Sequence, residues 1–272
     1  MIDKTNRTLI AGVINMSPES FYSGSVCKNS DEALQRAEKM VDDGADIIDI
    51  GGMSTAPYKN TWVSEDEEIR RVLPVVKEVS ATLDVLVSID TTRARVAEKA
   101  LSEGADIVNA VKPDDDIISI AADFSVPIII VAREIPWDHR TIVSSTVESL
   151  RQDVMRCIDR GIPPEKIIVD PAIGFWRNGD VEWYIRDTCL LANLDKIKDA
   201  VGRRVMVGVS RKSFIGSVLG LDNPEDRLIG SVTAEAIAVM MGTDYIRTHN
   251  VAESVQAIRM AESIRSFRYA VG

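Results

Sequence analysis

Positive charge, aromatic rings, cysteines and long apolar runs are all scarce in this chain. Against 32 lysines and arginines stand 42 aspartates and glutamates, a formal net charge of −10. That balance excludes a general nucleic-acid or membrane-surface binder, because phosphate backbones reward the opposite sign. An anionic ligand would need a local cationic pocket. The cysteines, Cys27, Cys157 and Cys189, are odd in number, widely spaced and free of any CxxC pair. Reduced thiols of a cytoplasmic protein are therefore expected rather than a disulfide framework. No apolar run approaches membrane-spanning length, and the first residues carry no leader pattern, so the chain is expected to stay in the cytoplasm without membrane contact. Aromatics make up only 5% of the residues, and the apolar remainder is mostly Ile, Val, Ala and Leu. That is the composition of buried parallel strands packed against amphipathic helices. No GxSxG or Cys–His nucleophile signature is present.

What is present is alternation. Short apolar runs at 8–15, 46–52, 86–91, 106–111, 127–132, 166–171, 205–210 and 245–249 read as strands. Helix-period segments at 30–43, 64–81, 93–103, 114–124, 143–160, 181–200, 224–241 and 251–265 lie between and after them. Eight strands each followed by a helix, with no Pro/Gly/Ser-rich linker, predict one α/β domain over 1–272, a (β/α)8 TIM barrel. A doubly wound sheet would also alternate, but with fewer strands and a glycine fingerprint after the first. An internal echo marks the repeat: Gly44-Ala45-Asp46, Gly104-Ala105-Asp106 and Gly242-Thr243-Asp244 each join a helix to a strand. Glycine supplies the left-handed cap there, a punctuation to which no function is assigned.

Catalytic groups of such a barrel come from the C-terminal ends of its strands. Those ends carry Asn15, Asp49, Asp90-Thr91, Asn109, Arg133-Glu134, Asp170, Ser210-Arg211-Lys212-Ser213 and Arg247-Thr248-His249-Asn250. A ring of polar groups is better explained by a polar ligand than by packing, since each one buried alone costs about 1–3 kcal/mol. Asp90, Asn109 and Asp170 suit a flat heterocycle with an amino-pyrimidinone edge, where a carboxylate takes two parallel N–H bonds. Lys212 can donate to a ring carbonyl or nitrogen. Arg247 and His249 can meet an anion together, and Asn15 is a neutral oxygen ligand for Mg2+ when a diphosphate completes the shell. Simpler readings stand beside these. Asp49 can be a structural carboxylate held by backbone N–H groups, and Asp90 and Asp170 can be rim groups. Trp176 can be a packing residue, His139 a solvated loop residue, and the Lys/Arg of SRKS a surface pair.

The runs GVINMSPESF (12–21), DIIDIGGMST (46–55), VSIDT (87–91), IIVDPAIGF (167–175), VGVSRKSFIG (207–216) and YIRTHNV (245–251) resemble the motifs of dihydropteroate synthases in their usual order. The resemblance implies transfer of a pterin from its diphosphate ester to p-aminobenzoate or a related arylamine, with Mg2+ as cofactor. It implies that Asp90, Asn109, Asp170 and Lys212 hold the pterin, with Gly208 letting the backbone approach the ring. Arg247 would stack on the ring and meet the diphosphate, joined by His249 and Asn15, the latter also at Mg2+. Thr55, Pro57, Phe175 and Ser213 would lie near the arylamine, and Ser20 and Phe21 in a first loop that closes over the site. Asp90, Lys212 and Arg247 are the expected catalytic residues, and a homodimer the expected assembly.

The chain also departs from the family pattern. Met53 and Ala56 stand where Glu and Arg are usual, Ala110 where Asp is usual, and Tyr22-Ser23 where the first loop carries Asp and glycines. Trp176 replaces a usual Gly, and Arg133 a His or Met. Two other readings therefore stay open. One is a methyltransferase moving a methyl group from a methylated pterin to a corrinoid protein, and the other a non-catalytic pterin binder.

Overall fold

Most strands are short apolar runs rich in Ile and Val, the pattern of strands covered on both faces. In the computed structural model, which describes residues 7–18, 22, 24, 26–53, 62–134 and 136–268, eight parallel strands close into a barrel in chain order. They are β1 (Leu9–Asn15), β2 (Ile47–Gly51), β3 (Leu86–Asp90), β4 (Ile107–Val111), β5 (Ile128–Val131), β6 (Ile167–Asp170), β7 (Arg204–Val207) and β8 (Tyr245–Thr248). Closure comes from β8 pairing with β1, Arg247 opposite Ala11. The expected (β/α)8 barrel is therefore the observed fold.

Around the strands lie α1 (Ser30–Asp42), α2 (Glu65–Thr82), α3 (Ala94–Ser102), α4 (Asp115–Asp123), α5 (Ile142–Asp159), α6 (Trp183–Ala192), α7 (Leu194–Val201), α8 (Ser213–Leu219), α9 (Leu228–Met240) and α10 (Val251–Arg268). Local chemistry starts several of them. Asn29, Ser64 and Asp114 accept backbone N–H bonds from Glu32, Glu67 and Ile117 as N-caps, each such cap being worth about 1 kcal/mol.

The Gly-x-Asp echo does more than punctuate. Gly44, Gly104 and Gly242 have φ of +104°, +111° and +90°, a region that costs residues with a Cβ dearly. The aspartates two residues on reach sideways. Asp46, Asp106 and Asp244 accept the backbone N–H of Ile10, Val87 and Val205, the early residues of the preceding strands. Each repeat thus ties the floor of one strand to the next.

Two helices differ from expectation. The segment 181–200 is not one helix: α6 and α7 break at Asn193, whose amide donates to the Cys189 carbonyl at 2.8 Å. The segment 224–241 begins with a 3-10 turn, Pro224–Arg227, before α9. An additional short helix, α8, precedes it and ends at Gly220 with φ +69°. Arg227 holds this corner by donating to the carbonyls of Leu221 and Arg211.

Candidate active site

Ala11, Ile47, Ile107, Ile129, Ile168, Met206 and Tyr245 form a buried cluster separate from the main core, the apolar floor of the barrel. Strand side chains return to the same face every second residue. One layer above that floor, therefore, Ile47 is followed by Asp49, Ile107 by Asn109, Ile168 by Asp170, Met206 by Gly208 and Tyr245 by Arg247. Leu86, packed against the floor, leads in two such steps, through Ser88, to Asp90. Ladder register sets Asp90 opposite Asn109, and Gly51 opposite both Asp90 and Asn15. An apolar floor under a polar layer is what brings these distant residues together.

Arg247 is the hub of that layer. Its Nε donates to Asp49 Oδ2 at 2.6 Å and its Nη2 to Asp90 Oδ2 at 2.7 Å. Burial opposes the guanidinium charge, but Asp49 and Asp90 outweigh it and raise its pKa. Burial pushes Asp90 up to about 7 against the pull of Arg247. Its Oδ1 is buried and accepts no hydrogen bond among the described residues. Asn109 turns its amide N–H toward both Asp49 oxygens, at 3.3 and 3.4 Å. Asp49, 1% exposed, is thus a buried carboxylate as considered from sequence. The described contacts it makes are to a guanidinium and an amide side chain.

On the other side of the mouth, Asp170 is buried and accepts the Ala172 N–H at 2.7 Å. Burial raises its pKa, with Lys212 opposing. Burial lowers Lys212 to about 8, and the nearby Asp170 and Asp187 limit that fall. Its ammonium donates to the Ile173 carbonyl and lies 4.5 Å from the Phe175 ring centroid. Gly208 packs on the Arg247 stem, since a methyl there would sit 3.6 Å from Arg247 Cβ. Ser213 opens α8, and its hydroxyl accepts from Arg177 Nη2 at 2.9 Å. The positions Ser20, Phe21, Thr55 and Pro57 lie outside the described residues.

Other strand-end residues turn away from the mouth. Arg133 Nε pairs with the buried Asp153 on α5. Arg211, 5% exposed, donates to Asn250, Pro224 and Glu225, so it is a buried strut and no surface charge. Trp176 is buried and its indole N–H donates to the Ala132 carbonyl at 2.9 Å, while Lys112 stands over its ring at 4.7 Å. His139 is an exposed loop residue paired with Asp180. Ala110 is packed in the layer between strands and helices, so the departure at that position takes nothing from the inner face.

His249 follows β8 and packs edge-on to Tyr22, ring centroids 5.4 Å apart. Burial, then the charges of Arg247, Arg211, Lys212 and Arg36, press its pKa down to about 3. The imidazole is therefore neutral at neutral pH and can offer an anion one N–H but no charge.

Two charged groups were not singled out from sequence. Asp187, on α6, is fully buried and accepts the Gly174 N–H at 2.9 Å. Arg177 lies half-buried over Trp183, 4.2 Å from its ring. The Gly-Phe-Trp-Arg run offered no signal for it, because only tertiary packing brings Arg177 to Ser213.

For magnesium, the donors are few. Among the described residues no group of three or more His, Cys, Asp or Glu could hold a metal. At the mouth, a carbon on Gly51 would lie 3.8 Å from Asn15 Oδ1 and 3.7 Å from Asp90 Oδ2. The bare glycine leaves those oxygens beside one cleft. That fits an ion taking one amide oxygen from the protein and the rest of its shell from phosphate and water.

Comparison with known proteins agrees with this geometry. The family model for pterin binding enzymes matches residues 11–249. Dihydropteroate synthase of Clostridium beijerinckii is 36% identical over 262 residues, 95% of this chain and 94% of that protein. Among solved structures, Yersinia pestis dihydropteroate synthase with a sulfonamide drug complex superposes with TM-score 0.88 at 33% identity, covering 97% and 96% of the two chains. The Clostridium difficile dihydropteroate synthase crystallised in the presence of pteroic acid gives TM-score 0.87 at 36% identity, covering 97% and 99%. With a family match over residues 11–249, a curated relative 36% identical over 95% of the chain and a polar layer at the barrel mouth, this chain belongs to the dihydropteroate synthases.

Proposed function

We propose that the chain condenses hydroxymethyl-dihydropterin diphosphate with p-aminobenzoate and releases diphosphate. The observation that carries this reading is the single layer holding Asp90, Asn109, Asp170 and Arg247 above an apolar floor. A flat ring can rest on the floor with its N–H edge against buried carboxylates. Asp170 and Asp90 accept from the ring, Asn109 presents its amide, and Lys212 donates to a ring carbonyl or nitrogen. Arg247 faces the diphosphate, and His249 adds a neutral N–H.

Charge stabilisation and positioning do the chemical work. As the diphosphate departs, Arg247 holds its growing negative charge while the carboxylates face the cationic methylene on the pterin. The arylamine nitrogen attacks that carbon and then loses a proton. Asn15 would hold the Mg2+, which supplies neutralisation of the diphosphate when bound. Phe175 and Ser213 line the arylamine side. Arg177, bonded to Ser213, supplies positive charge there and meets the acidic group of p-aminobenzoate, a role left open by Ala56.

The chain pairs with a second copy through α9 and α10. Ile229, Met260 and Phe267 on these helices are 73%, 63% and 69% exposed, an apolar face that water does not favour. It works in the cytoplasm, where the thiols of Cys27, Cys157 and Cys189, all unpaired, stay reduced. Among the described residues no helix is long and apolar enough to cross a membrane.

The test is calorimetric titration with hydroxymethyl-dihydropterin diphosphate, with and without Mg2+, followed by p-aminobenzoate and a diphosphate assay. Mg2+-dependent binding with release is expected. Binding without release would point to another amine or a silent binder, and no binding would remove the reading.

A further inference from the structure

The Arg247 guanidinium lies between two carboxylates and bonds to one oxygen of each. Its Nη2 occupies Asp90 Oδ2, while Asp90 Oδ1 accepts no hydrogen bond among the described residues. A ring edge that offers two parallel N–H groups would share Oδ2 with Arg247, so the edge and the guanidinium compete for that oxygen. Leaving would strand a buried cation, which is strongly unfavourable without another partner. Asp49 is that partner. It is 1% exposed, and it holds Arg247 through Nε at 2.6 Å. Nε lies next to the side-chain stem, so turning about the Cδ–Nε bond carries the Nη groups much farther than Nε. The same carboxylate holds the Asn109 amide N–H, which leaves the amide oxygen for the mouth.

Resting on the pterin reading above, we propose that Asp49 is a positioning residue, the second seat of Arg247. It lets the guanidinium swing off Asp90 as a pterin ring arrives and remain in the mouth to meet the diphosphate. Seating the ring and freeing the cation are then one event, and Asp49 itself never touches substrate.

The test is a double-mutant cycle on two ligands. Wild type, Asp49→Asn, Arg247→Ala and the double variant are each titrated with hydroxymethyl-dihydropterin diphosphate and with the free hydroxymethyl-dihydropterin. In Asp49→Asn the guanidinium meets a neutral amide oxygen in place of a carboxylate, so the free alcohol, which brings no anion, is expected to lose about tenfold in affinity or more. The diphosphate ester gives Arg247 a new partner and loses less. In the Arg247→Ala background the Asp49→Asn change is expected to alter neither affinity by more than about twofold. Equal losses for both ligands, or losses that persist without Arg247, would show a merely structural carboxylate and overturn the proposal. If wild type binds neither ligand, the pterin reading itself fails, a separate outcome. Thermal unfolding is measured first; where Asp49→Asn does not fold, Asp49→Ser takes its place. Failure of both to fold marks Asp49 as structural and likewise overturns the proposal.

Discussion

Asp170 and Glu235 are both buried carboxyls, but only one faces the mouth. Asp170 keeps one oxygen on the Ala172 N–H. Asp170→Asn is therefore expected to fold with little change in melting temperature and to lose measurable pterin binding by calorimetry. Unchanged affinity would remove Asp170 from the ring site. Glu235, on α9, is fully buried beside the Ser254 and Thr248 hydroxyls. Burial raises its pKa to about 7; the nearby Ser254 and Thr248 hydroxyls offset this only in part, and Glu253 adds to it. A carboxyl raised in the folded state holds its proton there and loses it first on unfolding. The folded state is favoured most below the ordinary carboxyl range, and that advantage drains away as pH rises to about 7. Glu235→Gln should thus change stability little near pH 4 and stabilise by on the order of 3 kcal/mol at pH 8. Melting curves across that range check it, and a gap that does not widen with pH would refute it. At this scale the sequence identified Asp90, Asn109, Asp170 and Arg247 by type and strand position. It could not see that Asp49 pairs with Arg247 across 198 residues, because nothing local marks which carboxylate a guanidinium meets.

The segment from β7 to α9 shows how a single run divides its labour. Within Ser210-Arg211-Lys212-Ser213, Lys212 and Ser213 face the mouth, while Arg211 points back into the corner that Arg227 also holds. Truncating Arg211 removes bonds to Asn250, Pro224 and Glu225 and leaves those acceptors unmatched. Arg211→Ala is expected to cost on the order of 3 kcal/mol, read as a lower melting temperature. Alternation of strand residues explains why the pair parts company only in tertiary structure: β7 ends at Val207, so periodicity no longer dictates direction beyond it. The neighbouring loop carries Arg177. Arg177→Gln should raise KM for p-aminobenzoate about tenfold, as loss of a charge-assisted bond does, and leave kcat and pterin binding alone. An unchanged KM, or an equal rise for the uncharged amide of the same amine, would argue against it. Helix boundaries were also least legible here. The helical pattern of 181–200 runs straight through Asn193, and the corner at Gly220 hides α8 inside what reads as a loop.

For the whole molecule, the proposed pairing through α9 and α10 is open to a direct test. Ile237→Glu with Met260→Glu places charge in the middle of that apolar face and should yield a monomer in analytical ultracentrifugation where wild type sediments as a dimer. Two dimeric proteins would place the interface elsewhere. The eight-fold alternation, the apolar strands and the Gly-x-Asp joints were all readable from residues alone, since hydrophobic period and backbone freedom are local properties. So was the pterin family, because its motifs sit at strand ends in a fixed order. Only closure of the barrel decided which of those strand-end groups share a cavity. Closure put Asp49, Asp90 and Arg247 within hydrogen-bond reach, sent Arg133 and Arg211 outward, and buried His249 among cations, burial first and charge second keeping it neutral. The reason is physical. Strand alternation states which face a side chain takes, but burial, distance and charge exist only between strands, once the sheet has closed.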